Sequence, residues 1–424
     1  MKNQSLWFRC ICLAWVLCLL FNSNLQAQDP NKRASTDSIE AQRAQWQKML
    51  QDHPYKNRPY KTKKEWKKVP KKDRPDLASE HDFLMTMDPA LGDVPKERLT
   101  FAHDEANAIL QTKAPIAGVQ WTERGPNNVG GRTRALMFDP NDATHKKVWA
   151  AGVGGGLWYT NDITAAQPVW HHIDDLWDNI AISCIAYNPA NTQEFYVGTG
   201  EGFGNGGAQR GGGIWKTSDG GTTWTRLAST DPGAYNSGSH FQNIIKLVVK
   251  SNGYVFAATR GYYTNSGGIT RSTDGGATWT RVLTHYVPGV SRDHASDIEI
   301  AANGDLYCSF GIASKGGVYK SNNADHGATG TWTNLSSNVG IANAKRIELA
   351  CAPSNSSVIY AVAHGGSGDT DVEWLKKSTD GGSTWTNLTI PLMVDGSGNH
   401  FTRSQAWYDL ILAVHPSNDQ FVLV

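Results

Sequence analysis

One short pattern recurs along the chain at nearly constant spacing, and it constrains the fold more than any other feature. Three stretches fit Ser/Thr-x-Asp-x-Gly-x-x-Trp, which we call the box, starting at Thr217, Ser272 and Ser378. Two degenerate boxes begin at Thr160 and Ser321. The tryptophans that end the five boxes are 54, 55, 53 and 53 residues apart: Trp170, Trp224, Trp279, Trp332 and Trp385. A fixed period of this length predicts a repeat architecture.

Between the boxes the chain carries a second recurrent pattern, two apolar runs around a polar turn. Examples are SCIAYNPANTQEFYVGTG from Ser183 and IIKLVVKSNGYVFAATR from Ile244. Each is typical of a β-hairpin with Asn-Pro or Asn-Gly at the turn. A short strand leads into each box and another follows its Trp, which gives four strands per period. The sequence therefore predicts an all-β fold, a β-propeller of four-stranded blades with about five complete blades and a partial sixth.

The box residues have a structural explanation. The Asp can accept hydrogen bonds from backbone N–H groups of its own turn, the Gly permits a positive φ, and the Trp is large enough to fill space between blades. We therefore expect the box turns to lie on one face, with each Trp packed on a neighbouring blade. The residues assigned to this structural role are Asp219, Gly221, Trp224, Asp274, Gly276, Trp279, Asp380, Gly382 and Trp385.

The chain divides into three predicted regions. Residues 1–27 have the positive start, short apolar run and small-residue site of a signal peptide; the run is about half the roughly 20 residues of a membrane span. Residues 28–118 form a basic, partly helical lead segment, and residues 119–424 form the propeller. The strand at Trp121 resembles a last strand of a blade, and the sixth hairpin begins near Tyr408, so we expect the propeller to be incomplete at its C-terminus.

Charge and cysteine content exclude several function classes. Residues 28–78 hold 14 Lys/Arg against 7 Asp/Glu, whereas residues 79–424 hold 24 against 32. An acidic propeller on an exported chain argues against nucleic acid as a partner. The cysteines beyond the signal, Cys184, Cys308 and Cys351, have spacings unlike a disulfide framework or a zinc site. We expect no cofactor and no metal, and no transmembrane segment once the signal is removed.

The loops on the face opposite the boxes hold the candidate site residues. Aromatic rings beside carboxylates and arginines suit carbohydrate or peptide grooves, because rings stack and charged groups bond hydroxyls or backbone. Among them Glu201 is a weak catalytic candidate. The loop HHIDDLWDN could serve a metal or a sugar, although adjacent histidines point to opposite sides of a strand. The candidates for ligand binding are Asp174, Asp175, Trp177, Asp178, Glu201, Arg210, Arg260, Tyr262, Asp293, Arg403 and Trp407.

The boxes resemble the BNR or Asp-box repeats of sialidases, xyloglucanase-type glycosidases and sortilin-type receptor propellers. The stretch WTERGPNNVGGRTRALMFDP from Trp121, with the later VWAAGVGGGLW and YVGTGEG, resembles exported propellers of Bacteroidetes-type bacteria that match the sortilin N-terminal domain. The resemblance covers about residues 119–424. Arg132 and Arg134 lie where sialidases carry an R-I-P type motif, but that motif is absent. Val153 and Gly154 stand where xyloglucanase-type enzymes place a catalytic Asp.

Two functions follow from this resemblance. The first is a secreted or cell-surface binding protein for extracellular protein or glycan ligands, in a Gram-negative type of bacterium and in the manner of sortilin-type propellers. The alternative is an extracellular glycoside hydrolase acting on polysaccharide. Hydrolysis normally needs two positioned carboxylates, and the one expected at Val153 and Gly154 is missing. The sequence therefore favours binding without catalysis, and no efficient glycosidase action at that loop.

Overall fold

The structure is a computed structural model of the 424-residue chain. It separates into two compact units, residues 1–115 and residues 116–424. The residues that it describes are 36–53, 62–66, 75–90, 92, 94, 105, 108, 109, 112, 131–174, 177, 179–205, 207–233, 237–261, 266–286, 288, 289, 291–312, 314–365, 371–393 and 401–424. The predicted signal peptide and the predicted strand at Trp121 lie outside these ranges.

The first unit is mainly helical where it is described. Its helices are α1 (Thr36–Asp52), α2 (Lys63–Trp66) and α3 (Pro75–Thr86). The indole of Trp46 in α1 donates a hydrogen bond to the carbonyl of Leu84 in α3. These helices agree with the partly helical lead segment that the sequence predicts. Of the helices in the described ranges, none combines the length and the apolar character that crossing a membrane requires.

The second unit is built from five four-stranded antiparallel sheets and one two-stranded sheet, in chain order. We number the sheets as blades one to six. The strands of blades one to three are β1 (Thr133–Phe138), β2 (Val148–Gly152), β3 (Gly156–Thr160), β4 (Trp170–His172), β5 (Ile182–Asn188), β6 (Asn191–Thr199), β7 (Ile214–Thr217), β8 (Thr225–Arg226), β9 (Asn243–Val249), β10 (Val255–Arg260), β11 (Gly267–Ser272) and β12 (Thr280–Leu283).

The remaining strands complete blades four and five and form the partial sixth. They are β13 (Ala295–Ile300), β14 (Leu306–Phe310), β15 (Gly317–Ser321), β16 (Thr333–Asn334), β17 (Ala344–Cys351), β18 (Ile359–Gly365), β19 (Asp371–Ser378), β20 (Thr386–Leu388), β21 (Ala413–His415) and β22 (Asn418–Leu423). A short helix, α4 (Ser336–Val339), follows β16. The predicted β-propeller with five complete blades and a partial sixth is confirmed.

The first strand of each blade lies nearest the propeller axis. Strands β1, β5, β9, β13, β17 and β21 contact one another in succession, as innermost strands must. Each blade is a meander whose neighbouring strands pair antiparallel, for example Val255 with Val249 on one side and with Ser272 on the other. All turns between third and fourth strands, which include the boxes, therefore lie on one face. The loops between second and third strands, and between blades, lie on the opposite face, which we call the mouth.

The box turns are held by the residues that define them. Thr223 donates its backbone N–H (2.9 Å) and its hydroxyl (2.6 Å) to Asp219, and the hydroxyl of Thr217 donates to the same carboxylate (2.7 Å). These bonds, the Thr223 hydroxyl foremost, lower the pKa of Asp219 to about 2. Gly221 has a φ of 94°, and a Cβ there would overlap the ring of Trp149 in blade one. The aspartates are thus turn clasps, and the same bonds recur at Asp274 and Asp380.

The hydrophobic cores lie between consecutive blades, and the box tryptophans contribute to them. Trp224 of blade two lies 6.3 Å from Trp149 of blade one, between ring centroids. Trp279 packs on the core between blades two and three, and Trp385 on the core between blades four and five. Each ring therefore fills space against the blade before its own, as predicted.

Trp170 of blade one departs from this arrangement. It is 38% exposed, and Leu136 and Phe138 on the same side of the sheet are 68% and 59% exposed. The physical reason is the position of the blade, because no blade precedes it among the described residues. The opposite side of blade one, with Met137 and Trp149, is buried against blade two.

Candidate functional site

The mouth is shaped by the long loop between β6 and β7, residues 200–213. Its ends are tied together by the hydroxyl of Thr199, which donates to the carbonyl of Gly213 (2.6 Å). Within it the N–H of Glu201 donates to the carbonyl of Gln209 (2.7 Å). Gly200 has a φ of 98°, and a Cβ there would meet the carbonyl of Gln242, the side chain of Asn243 and the backbone N of Gly211. This glycine turn folds the loop back so that Glu201 points inwards.

Glu201 is the buried centre of a hydrogen-bonded group at the mouth, which we call the mouth cluster: Arg132, Glu201, Asn205 and Tyr408. The Oε1 atom of Glu201 accepts hydrogen bonds from the Arg132 guanidinium, the Tyr408 hydroxyl and the Asn205 amide, the last at 3.1 Å. Arg132 also donates to the Tyr408 hydroxyl (2.7 Å). The Glu201 side chain is 2% exposed, whereas that of Arg132 is 51% exposed. Burial and the bond to Glu201 raise the pKa of Tyr408.

The second oxygen of Glu201 differs from the first. Within the described part of the chain, Oε2 is buried and has no hydrogen-bond partner, and the same holds for the amide oxygen of Asn205. A buried carboxylate oxygen left without a donor costs free energy, so such atoms in native proteins are usually met by a water or a ligand. The mouth cluster therefore contains two buried acceptors that lack a donor among the described residues.

A layer of arginine and aromatic side chains lies beneath the mouth cluster. Arg346 donates to the carbonyls of Tyr408 (2.6 Å) and Leu410 (2.5 Å), and Arg134 donates to that of Tyr408 (3.0 Å). The guanidinium groups of Arg134 and Arg346 lie 4.0 and 4.1 Å from the centroid of the Phe203 ring. These bonds fix the segment from Trp407 to Leu410 across the propeller axis.

The turn between β2 and β3 adjoins the mouth cluster. Its Val153 is 4% exposed and donates its N–H to the carbonyl of Arg132 (2.9 Å). Because Val153 and Gly154 supply no carboxylate, the turn offers only backbone groups at that point. A groove of about 670 Å³ runs from here along blade one, lined by Arg132, Trp158 and Trp170.

The other sequence-predicted residues that the structure describes do not join the mouth cluster. Arg210 and Arg260 donate to the backbone carbonyls of Gly233 and Gly202, so they brace loops. Asp293 is buried and accepts the N–H of His285 (2.6 Å). Arg403 is exposed at a φ of 45°, and Trp407 lies beside Tyr408, with ring centroids 5.4 Å apart.

The described residues of the loop after β4 pack differently from what the sequence suggests. Trp177 is 8% exposed and stacks on Trp215 of blade two, with centroids 4.4 Å apart and planes 6° apart. Its ring therefore packs between blades, while Asp174 is exposed. The remaining candidates, Asp175, Asp178 and Tyr262, lie outside the described residues. In the described ranges, no three His, Cys, Asp or Glu side chains are grouped to hold a metal ion.

The sequence marks Glu201 as a candidate, but it does not mark Arg132 and Tyr408 as its hydrogen-bond partners. Arg132 is 69 residues away in the chain, and Tyr408 is 207 residues away. Both belong to segments with strand-like patterns, so nothing local marked them as site residues. The innermost strands of all blades converge at the axis, and that topology could have suggested that residues from distant blades meet there.

No family model matches the chain. Among curated proteins, a xyloglucanase of Paenibacillus sp is 32% identical over 219 residues, which covers 43% of this chain and 19% of that protein. Xyloglucanase Xgh74A of Acetivibrio thermocellus is 28% identical over 226 residues, covering 48% of this chain and 25% of that protein. The chain thus spans about a fifth to a quarter of the length of these relatives.

Solved structures similar to this chain include two GH74 enzymes. An ancestral GH74 enzyme is 19% identical with a TM-score of 0.47, covering 64% of this chain and 32% of that chain. The GH74 xyloglucanase of Xanthomonas campestris is 19% identical with a TM-score of 0.42, covering 69% of this chain and 50% of that chain. YCF48 of Cyanidioschyzon merolae is 12% identical with a TM-score of 0.37, covering 67% and 90%.

Proposed function

We propose that this chain is an exported Asp-box propeller that recognises a hydroxyl-rich β-glucan at the mouth cluster. The observation that carries the proposal is the buried Oε2 atom of Glu201, which lacks a donor within the described residues while Oε1 has three. Sugar hydroxyls are donors of the size and polarity that such an atom needs. The similarity to xyloglucanases supports a glucan in particular, since two curated relatives carry that name.

The rest of the mouth suits a neutral polysaccharide. Arg132 is half-exposed, and its charge is offset by Glu201, so the cluster offers hydrogen bonds without a strong net charge. Trp158 and Trp170 are 37% and 38% exposed along the adjoining groove, where sugar rings can stack. Binding of a protein ligand, as in sortilin-type receptors, has no comparable support.

The test is a titration with xyloglucan oligosaccharides in which binding is measured by calorimetry. We expect Glu201→Gln to weaken binding by about 10- to 100-fold, because hydrogen bonds to a charged group contribute about 1.5–3 kcal/mol. Glu194→Gln is the matched control, since Glu194 lies in β6, the strand that precedes the loop carrying Glu201, but pairs with Lys216 (2.8 Å) away from the mouth. Equal affinity in wild type and Glu201→Gln would overturn the proposal.

Hydrolysis is the second candidate function, and the xyloglucanase similarity favours it. Two carboxylates are normally required, yet no second carboxylate shares a hydrogen bond with the mouth cluster in the described part of the chain. We therefore expect binding without release of reducing ends. If wild type does cleave a β-glucan and Glu201→Gln abolishes cleavage, Glu201 is an acid/base and the protein is an enzyme.

A further inference from the structure

A second polar space lies below the mouth, on the propeller axis. This axial cavity has a volume of about 220 Å³, and the charged side chains on its wall come from four innermost strands, with Phe203 from the mouth loop. The charged residues are Arg134, Lys246, Asp297, Arg346 and Glu348. A cavity of this size has room for a small organic group.

Two of the three cations on this wall are neutralised by carboxylates. Lys246 lies 2.6 Å from Glu299 and 3.4 Å from Asp297, and Arg346 lies 2.7 Å from Glu348. Burial, which Lys246 only partly offsets, raises the pKa of Glu299 to about 7. The carboxylates of Asp297 and Glu299 therefore lie around Lys246, and that of Glu348 lies at Arg346.

Arg134 is the cation that lacks such a partner. In the described ranges no carboxylate lies within ion-pair distance of it, and its one hydrogen bond goes to the carbonyl of Tyr408. A guanidinium has five N–H donors, so most of them remain available. Burial, and next the positive charge of Arg346, lower the pKa of Arg134 to about 10. Arg134 thus makes no ion pair within the described residues and lies beside an open volume, while the carboxylates of Glu348 and Asp409 act on it from beyond ion-pair distance.

We propose that the axial cavity binds a small hydroxy-carboxylate, of the sugar-acid class, with its carboxylate on Arg134. The planar guanidinium matches a carboxylate in bidentate geometry, and Arg134 has the free donors for it. Glu348 has one oxygen bonded to Arg346, and its other oxygen can accept a ligand hydroxyl. Asp297 and Glu348 on the same wall disfavour a doubly charged phosphate, because like charges repel at this distance.

The experiment measures binding of free glucuronate, with glucose and acetate as companion ligands, to the full chain by calorimetry and by thermal shift. We expect glucuronate to bind and to raise the melting temperature, glucose to have no effect at the same concentration, and acetate to bind more weakly. The carboxylate could belong to free glucuronate or to the end of a polysaccharide chain. An oligosaccharide ending in glucuronate distinguishes these two sources. Stronger binding of the oligosaccharide places a chain end in the cavity, and stronger binding of free glucuronate identifies the monosaccharide as the ligand.

Variants at Arg134 decide the proposal. Arg134→Gln should weaken glucuronate binding at least tenfold. Arg134→Lys keeps the charge but loses the bidentate pair of N–H donors, so its affinity for glucuronate should lie between those of wild type and Arg134→Gln. Arg271→Gln is the matched control, because Arg271 also donates to one backbone carbonyl (2.8 Å) and lies over a tyrosine ring (5.6 Å), but in β11. If Arg134→Gln does not fold, glucuronate binding by Arg134→Lys alone tests the proposal. No glucuronate binding to wild type, or unchanged binding in the folded Arg134 variants, overturns the proposal.

Discussion

The box aspartates show how a single side chain can hold a turn without being buried. Asp274 accepts the backbone N–H (2.9 Å) and the hydroxyl (2.6 Å) of Thr278, and the hydroxyl of Ser272 donates to it at 2.7 Å. All of these bonds favour the ionised carboxylate. The Thr278 hydroxyl is the largest contribution, and together they lower the pKa of Asp274 to about 2 from an ordinary value of 3.8.

This shift predicts a specific acid sensitivity. A carboxylate whose folded pKa lies below its unfolded pKa contributes stability above the unfolded value, and the contribution is lost as pH falls towards the folded value. We therefore expect Asp274→Asn to be less stable than wild type at pH 7, with the difference shrinking between about pH 4 and pH 2. Urea unfolding of both proteins across this range measures it. A difference that stays constant down to pH 2 would contradict this role for the ionised carboxylate.

At the same scale, Glu201 and Trp177 show what the sequence could and could not predict about the site. Both stand in polar loops, and the sequence marks both as ligand candidates. The fold directs Glu201 into the mouth cluster and stacks Trp177 on Trp215, 38 positions along the chain. Which way a loop side chain turns depends on partners that are distant in sequence, and no local pattern carries that information.

At the scale of the blade, the sequence predicted much more. Strand positions followed from alternating apolar runs and turn residues, because both are local properties. The contribution of each box Trp to the interface with the preceding blade followed from its size and its spacing. Trp170 is the exception, because its burial depends on what lies beside blade one. The repeat pattern by itself does not specify that.

The contrast between two box tryptophans gives a test of blade packing. Trp279 is half-buried against the core between blades two and three, with its ring 5.7 Å from Phe241, while Trp170 is 38% exposed. We expect Trp279→Ala to lower the free energy of unfolding by about 3 kcal/mol, and Trp170→Ala by less than about 1 kcal/mol. Urea unfolding of the two variants compares them. Equal losses would show that Trp170 is packed as tightly as Trp279.

At the scale of the whole propeller unit, stability comes from stacking one blade on the next. Each interior interface joins the apolar sides of two consecutive sheets, as the cores between blades two and three and between blades four and five show. Every interior blade thus buries both sides of its sheet, while blade one buries the side that carries Trp149 and exposes the side that carries Leu136. Large exposed apolar patches on soluble proteins commonly mark interaction surfaces.

Leu136 in blade one and Ile185 in blade two stand at equivalent positions. Each lies four residues before a proline in the turn that follows the first strand of its blade. Leu136 is 68% exposed, whereas Ile185 packs against the core between blades one and two. We expect Leu136→Ser to change the free energy of unfolding by less than about 0.5 kcal/mol, and Ile185→Ser to cost about 2 kcal/mol. Removing apolar surface should also lower dye binding and self-association of Leu136→Ser, measured by ANS fluorescence and sedimentation velocity. If Leu136→Ser lowers the free energy of unfolding as much as Ile185→Ser does, the side of blade one that carries Leu136 is covered in solution. That result would contradict the description of this side as exposed.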